Sequence, residues 1–146
     1  MKIAKALKVK NRLAGEIAGL EGIIRRENSR RDDNPSQVNV QEQLQKLASK
    51  RQELIDLKGG IAVATAPIAS KLARLSEIKS GINFLTSLPT REGEELVGTL
   101  TKESVLKYKW TAFINREEAD KIIVQLQEEI NTLQDEIDEF NAITNI

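Results

Sequence analysis

The sequence predicts an all-α, mainly helical protein: an elongated antiparallel helical bundle or coiled coil, with a small extended or β-hairpin insert around residues 94–114. Three observations predict it. Near the C-terminus Ala119, Ile123, Leu126, Ile130, Leu133, Ile137 and Phe140 recur at alternating gaps of four and three, which places all seven on one seam of a helix. Near the N-terminus Ile3, Ala6, Leu13, Ile17, Leu20 and Ile24 keep the same spacing, with Lys10 the only polar residue at a seam position. Aromatic residues are 3% of the chain against 40% hydrophobic, so the core is built from Leu, Ile, Val and Ala, as helical proteins build theirs.

A single helical domain spanning 1–146 is expected, with helices at about 2–28, 38–57, 67–87 and 116–142. The first ends in Glu27-Asn28-Ser29-Arg30-Arg31-Asp32-Asp33-Asn34-Pro35-Ser36, a polar run closed by a helix-stopping proline. The second places Val40, Leu44, Leu47 and Leu54 in register, with Arg51 at the seam position between the last two, and Gly59-Gly60 weakens its end. Pro67 stands near the start of the third, where its missing N–H costs nothing. Ile68, Leu72, Leu75, Ile78, Ile82 and Leu85 are its stripe, and it stops before Leu88-Pro89. From 94 to 114 the pattern changes: Leu106, Tyr108, Trp110 and Ala112 alternate with Lys107, Lys109, Thr111 and Phe113, which predicts extended chain. Asn115 followed by Glu118 resembles a capping box and sets the start of the last helix.

The two end segments carry opposite charge. Residues 1–31 hold nine Lys/Arg against three Asp/Glu, and residues 115–146 hold two against nine, although the whole chain balances at 22 and 22. Antiparallel docking would set Lys2, Lys5, Lys8, Lys10 and Arg12 beside Asp135, Glu136, Asp138 and Glu139. Such pairing fits one protomer or two, so a homo-oligomer or a protein partner is expected.

Composition removes most enzyme readings. With no His and no Cys there is no Ser-His or Cys-His pair, no thiolate chemistry and no ordinary zinc site. Carboxylates cluster at Glu92, Glu94 and Glu95, at Glu117, Glu118 and Asp120, and at Asp135, Glu136, Asp138 and Glu139, mostly on solvent-side helix positions. No glycine-rich phosphate loop is present. No catalytic residue, cofactor or metal is therefore expected, and the protein reads as non-enzymatic. Lysines interrupt the apolar residues of the opening segment, so it is not read as a signal peptide, and a cytoplasmic location is expected.

Two surfaces stand out. Gly15, Ala18, Gly19 and Gly22 share the face of the first helix opposite its seam, where Lys and Glu are usual and where each glycine costs ~1 kcal/mol relative to alanine. Missing side chains there let another helix approach closely. Lys2, Lys5, Lys8, Lys10 and Arg12 form the second, a surface for an acidic partner or, alternatively, for anionic lipid. Nucleic acid is not expected as a partner: the net charge is zero, and Tyr108, Trp110 and Phe113 lie in no glycine-aromatic RNA-binding motif.

The opening Met1-Lys2-Ile3-Ala4-Lys5-Ala6-Leu7 with Leu13, Ile17 and Leu20, and the closing Leu133, Ile137, Glu139, Asn141, Thr144 and Ile146, resemble the two ends of a family of small bacterial helical proteins labelled septicolysin-like. Ala142 stands where that family has Trp, and residues 59–93 do not follow it. The resemblance implies a cytolytic or pore-forming activity and no particular residue for it. Two functions are thus expected: a coiled-coil structural or adaptor protein acting through helix–helix association across Ile3, Leu13, Ile17, Leu20, Ile24, Ile123, Leu126, Ile130, Leu133, Ile137 and Phe140, and, as the alternative, a membrane-active protein binding anionic lipid through its basic first helix.

Overall fold

The structure is a computed structural model that describes residues 1–98 and 105–146. It is mainly helical, with a small two-stranded antiparallel sheet. In order come α1 (Ile3–Glu27), α2 (Val40–Thr65), a 3-10 turn (Ala66–Ile68), α3 (Ala69–Ser87), β1 (Gly93–Val97), β2 (Leu106–Trp110) and α4 (Arg116–Ile143). The chain divides into two compact units, Met1–Ala69 with Ile137–Ile146, and Ser70–Glu136.

In the first unit α1 and α2 pack as an antiparallel pair. Ile3, Ala6, Leu13 and Ile17 are buried, and Lys10, Leu20 and Ile24 are half-buried. The expected seam of α1 is therefore the inward face, and Lys10 keeps its place on it as a half-buried residue. Glu27 fastens the turn into α2. Its carboxylate accepts from Ser36 Oγ at 2.8 Å, Arg30 Nη1 at 2.9 Å and Arg26 Nε at 3.0 Å, while Arg30 Nε donates to the Asn34 carbonyl. The Ser36 and arginine hydrogen bonds hold the Glu27 carboxyl below the usual carboxylate range.

The inward residues of α2 correct the expected register. Leu47 is buried, and Val40, Gln43, Lys50, Leu54, Leu57, Ile61 and Ala64 are half-buried, a stripe at gaps of three and four. Val40, Leu47 and Leu54 lie where expected, but Leu44 is 55% exposed and Arg51 points outward to pair with Glu21. Both registers share every seventh residue and differ in the position between, where the helix buries the stems of Gln43 and Lys50 instead.

The second helix also runs past residue 57. Gly59-Gly60 does not end it, because Leu57, Ile61 and Ala64 continue the inward stripe, and their burial outweighs two glycine penalties of ~1 kcal/mol each. Gly60 is half-buried beside the Ile146 side chain, 3.8 Å from where a Cβ would stand. Asn39 caps the start, its side chain accepting from the Glu42 N–H at 3.1 Å.

The two ends of the chain meet in this unit. Ile3 N–H donates to the Thr144 carbonyl at 2.9 Å, Ile146 N–H to the Met1 carbonyl at 3.0 Å, and Lys2 Nζ to the Ile143 carbonyl at 2.7 Å. Orphan donors at the start of α1 thus satisfy orphan acceptors at the end of α4.

The second unit holds α3 and the first part of α4, also antiparallel. Leu75 and Ile78 of α3 and Ala119, Ile130 and Leu133 of α4 are buried on the expected stripes. Lys71 pairs with Glu136 at 2.7 Å and Arg74 pairs with Glu129, so the cations meeting these α4 carboxylates come from α3. Arg116 closes the end of α3 by donating to the Leu85 carbonyl at 3.0 Å, and Asp120 steadies it at 2.9 Å. Asn115 accepts from the Glu118 N–H at 2.8 Å, the expected cap. The insert is an antiparallel hairpin with Gly93 opposite Trp110 and Val97 opposite Leu106. Gly93, at φ +94°, takes a conformation open to glycine where the chain enters β1.

Candidate helix-docking surface

Of the expected interface residues, Ile3, Leu13, Ile17, Ile130, Leu133 and Ile137 are buried, and Leu20, Ile24, Ile123, Leu126 and Phe140 are half-buried. Each is packed within its own unit. Surface available to something else lies beside them on α1 and α2, where a groove of about 550 Å³ is lined by Glu16, Gly19, Leu20, Ile23, Lys46, Ser49 and Lys50.

Each part of the groove follows from helix geometry. Leu20 and Ile23 stand three residues apart on adjacent turns of α1, and both are half-buried, so they form an apolar floor. Gly19 lies beside them. With Gly15 and Gly22 it forms a line within about 60° of arc, spaced at four and three residues, and Ala18 flanks it. All four residues are exposed, and a Cβ added at any of the three glycines meets nothing within 4 Å. Among the described residues nothing packs closely on this glycine line.

The rim is charged. Lys50 Nζ stands 3.3 Å from Glu16 Oε2, and Arg12 donates to Glu16 Oε1 at 2.8 Å. The Lys50 hydrogen bond, helped by both cations, holds the Glu16 carboxyl below the usual carboxylate range against the opposing effect of burial. A few residues further, Glu21 pairs with Arg51 and lies 3.9 Å from Arg25. The basic residues proposed as a surface are distributed: Lys2 is engaged with a carbonyl, Lys5, Lys8 and Arg12 are exposed, and Lys10 sits in the seam.

The sequence reading missed Lys46, Ser49, Lys50 and Ile23. The signal for Lys50 was present in the seven-residue spacing from Gln43. Ile23 belongs to a second row, Val9, Glu16 and Ile23, that flanks the main seam and is half-buried along its length.

Among the described residues, no group of three His, Cys, Asp or Glu side chains is placed to hold a metal ion. None of the described helices is long and apolar enough to cross a membrane. Compared with protein families, with curated proteins and with solved structures, the chain gives no match.

Proposed function

We propose that this protein is a non-enzymatic coiled-coil structural or adaptor protein whose α1–α2 face receives a helix from a second copy or from a protein partner. The observation that carries this reading is the groove beside an unobstructed glycine line. Leu20 and Ile23 offer apolar floor, Gly15, Gly19 and Gly22 let a backbone approach, and Glu16, Lys46 and Lys50 supply both signs of charge at the rim. Glycine is costly in a helix, and among the described residues none packs against these three, so an external helix is the occupant that explains them. The absence of His and Cys supports a role in assembly over one in catalysis.

The test is sedimentation of the wild type and of G15L/G19L over a wide concentration range, with any candidate partner included. Leucine fits the open space and raises helix propensity, so the variant should be as stable as the wild type or more so. It should nevertheless lose association by at least tenfold, which is ~1.4 kcal/mol. Unchanged association would discard the groove, and a wild type that stays monomeric and binds no helical partner would discard the reading.

The membrane-active alternative requires more. Ile3, Ala6, Leu13 and Ile17 are buried, so inserting that stripe into lipid means separating α1 from α2. Flotation with anionic vesicles, abolished by reversing Lys5 and Lys8, would favour it.

A further inference from the structure

The hairpin offers a second surface, independent of the helical groove. Residues opposite each other in an antiparallel pair share a face. The register therefore sets Val97, Leu106, Glu95, Tyr108 and Trp110 on one face and Glu94, Leu96, Lys107 and Lys109 on the other. Every β2 residue is exposed, and Val97, Leu106, Tyr108 and Trp110 are each between 44% and 57% exposed. Glu95, the one carboxylate on the aromatic face among the described residues, is neutralised locally. Glu95 accepts from Trp110 Nε1 at 2.6 Å and lies 3.3 Å from Arg91, whose guanidinium sits 4.9 Å from the indole centroid. Beside it is a groove of about 370 Å³ lined by Glu95, Val97, Tyr108, Lys109 and Trp110.

Among the described residues the sheet has two strands only, so β2 pairs with β1 along one edge and presents its other edge unpaired. A two-stranded sheet is marginal on its own, and a third strand would stabilise it. Charge selects which strand. β1 shows what suits β2: Glu94 stands opposite Lys109 and Val97 opposite Leu106, while opposite Lys107 β1 offers Leu96 and no carboxylate. Two β2 edges cannot pair well with each other, because lysines would face lysines.

We propose that the free edge of β2 is a docking site for an extended segment of a partner protein in which acidic and apolar residues alternate, added antiparallel as a third strand. Its carboxylates lie over Lys107 and Lys109, and its apolar side chains extend the face formed by Leu106, Tyr108 and Trp110. Main-chain hydrogen bonds hold the strand, and the alternation chooses it.

Trp110 is the only tryptophan and lies on β2, so its emission reports on the site directly. The full-length protein is titrated with a short synthetic peptide alternating Glu with Val and Leu, and separately with its Lys-for-Glu counterpart. The acidic peptide should shift Trp110 emission, bind at least tenfold more weakly to K107Q/K109Q, and weaken with added salt. K107E, which adds no clash because β1 has Leu96 there, should turn preference toward the Lys-containing peptide. Amide exchange should show new protection in β2 with β1 unchanged. Loss of protection in β1 would mean displacement of that strand and overturn the proposal. So would acidic-peptide binding indifferent to Lys107 and Lys109, or no binding. A Trp110 shift with lipid vesicles and none with peptide would make the surface a membrane contact instead. Self-association of the wild type that K107Q/K109Q abolishes would make the occupant a second copy's β1.

Discussion

Asn39 and Asn115 do the same work at the starts of two helices. Each side chain accepts from the N–H three residues on, at 3.1 and 2.8 Å, and each is followed at that position by a glutamate. An Asn cap satisfies one of the four donors that a helix start leaves unpaired. N39A and N115A should each cost about 1 kcal/mol in urea unfolding, and N115S should recover most of it. A loss near zero at Asn115 would mean that Arg116, bonded to Asp120 and to the end of α3, is what fixes the start of α4. Only one of the two caps was read from the sequence. Asn115-Arg116-Glu117-Glu118 follows an extended stretch and stands out, whereas Asn39-Val40-Gln41-Glu42 follows a long polar loop in which Asn, Ser and Gln are common. Arg116 was not legible at all, because the carbonyls it serves lie 30 and 31 residues away in sequence.

At the scale of the element, periodicity was reliable where apolar residues fill every seam position and ambiguous where they do not. α1 and α4 bury or half-bury the apolar residues their spacing names, and α3 does so except at Leu72, which is 38% exposed. In α2 the spacing admits two registers through Val40, Leu47 and Leu54, one adding Leu44 and Arg51 and the other Gln43 and Lys50. Hydropathy favours the first, and the helix adopts the second. That choice lets Lys50 reach Glu16 and Arg51 reach Glu21 on α1, pairings that hydropathy along α2 does not encode. Truncation separates the registers. L47A should cost ~2–5 kcal/mol, as buried leucines do, while L44A should cost well under ~1 kcal/mol because its side chain is 55% exposed. Equal losses in thermal or urea unfolding would put Leu44 back on the seam. The hairpin was legible for the opposite reason: its strict alternation of Lys with Leu, Tyr and Trp has period two, which no helix stripe shares.

At the scale of the whole chain, the unit containing both termini is assembled from segments far apart in sequence, Met1–Ala69 and Ile137–Ile146. Opposite charge on the two ends predicted that they would meet, but two of the three hydrogen bonds that join them are backbone to backbone, and the third is Lys2 on a backbone carbonyl. The start of α1 carries unpaired N–H groups and a partial positive charge, and the end of α4 carries unpaired carbonyls and a partial negative one. Ile3 N–H to the Thr144 carbonyl matches those groups directly, Lys2 Nζ adds a cation on the Ile143 carbonyl, and Ile146 N–H donates back to the Met1 carbonyl. Ile3 beneath them is fully buried, and the Ile146 side chain packs beside Gly60 of α2. Deleting residues 144–146 removes two of the three hydrogen bonds and the Ile146 contact, so the unit should lose about 2–4 kcal/mol. The amide of Ile3 should exchange much faster, because its acceptor is gone, while amides in the middle of α1 slow or quicken only with the global loss of stability. A conservative variant separates side chain from backbone: I146A keeps both backbone bonds, so Ile3 should retain its protection while stability falls by a smaller amount. If deletion leaves the Ile3 amide as protected as before, the ends of the chain do not hold each other in solution, and the start of α1 must be satisfied by other groups.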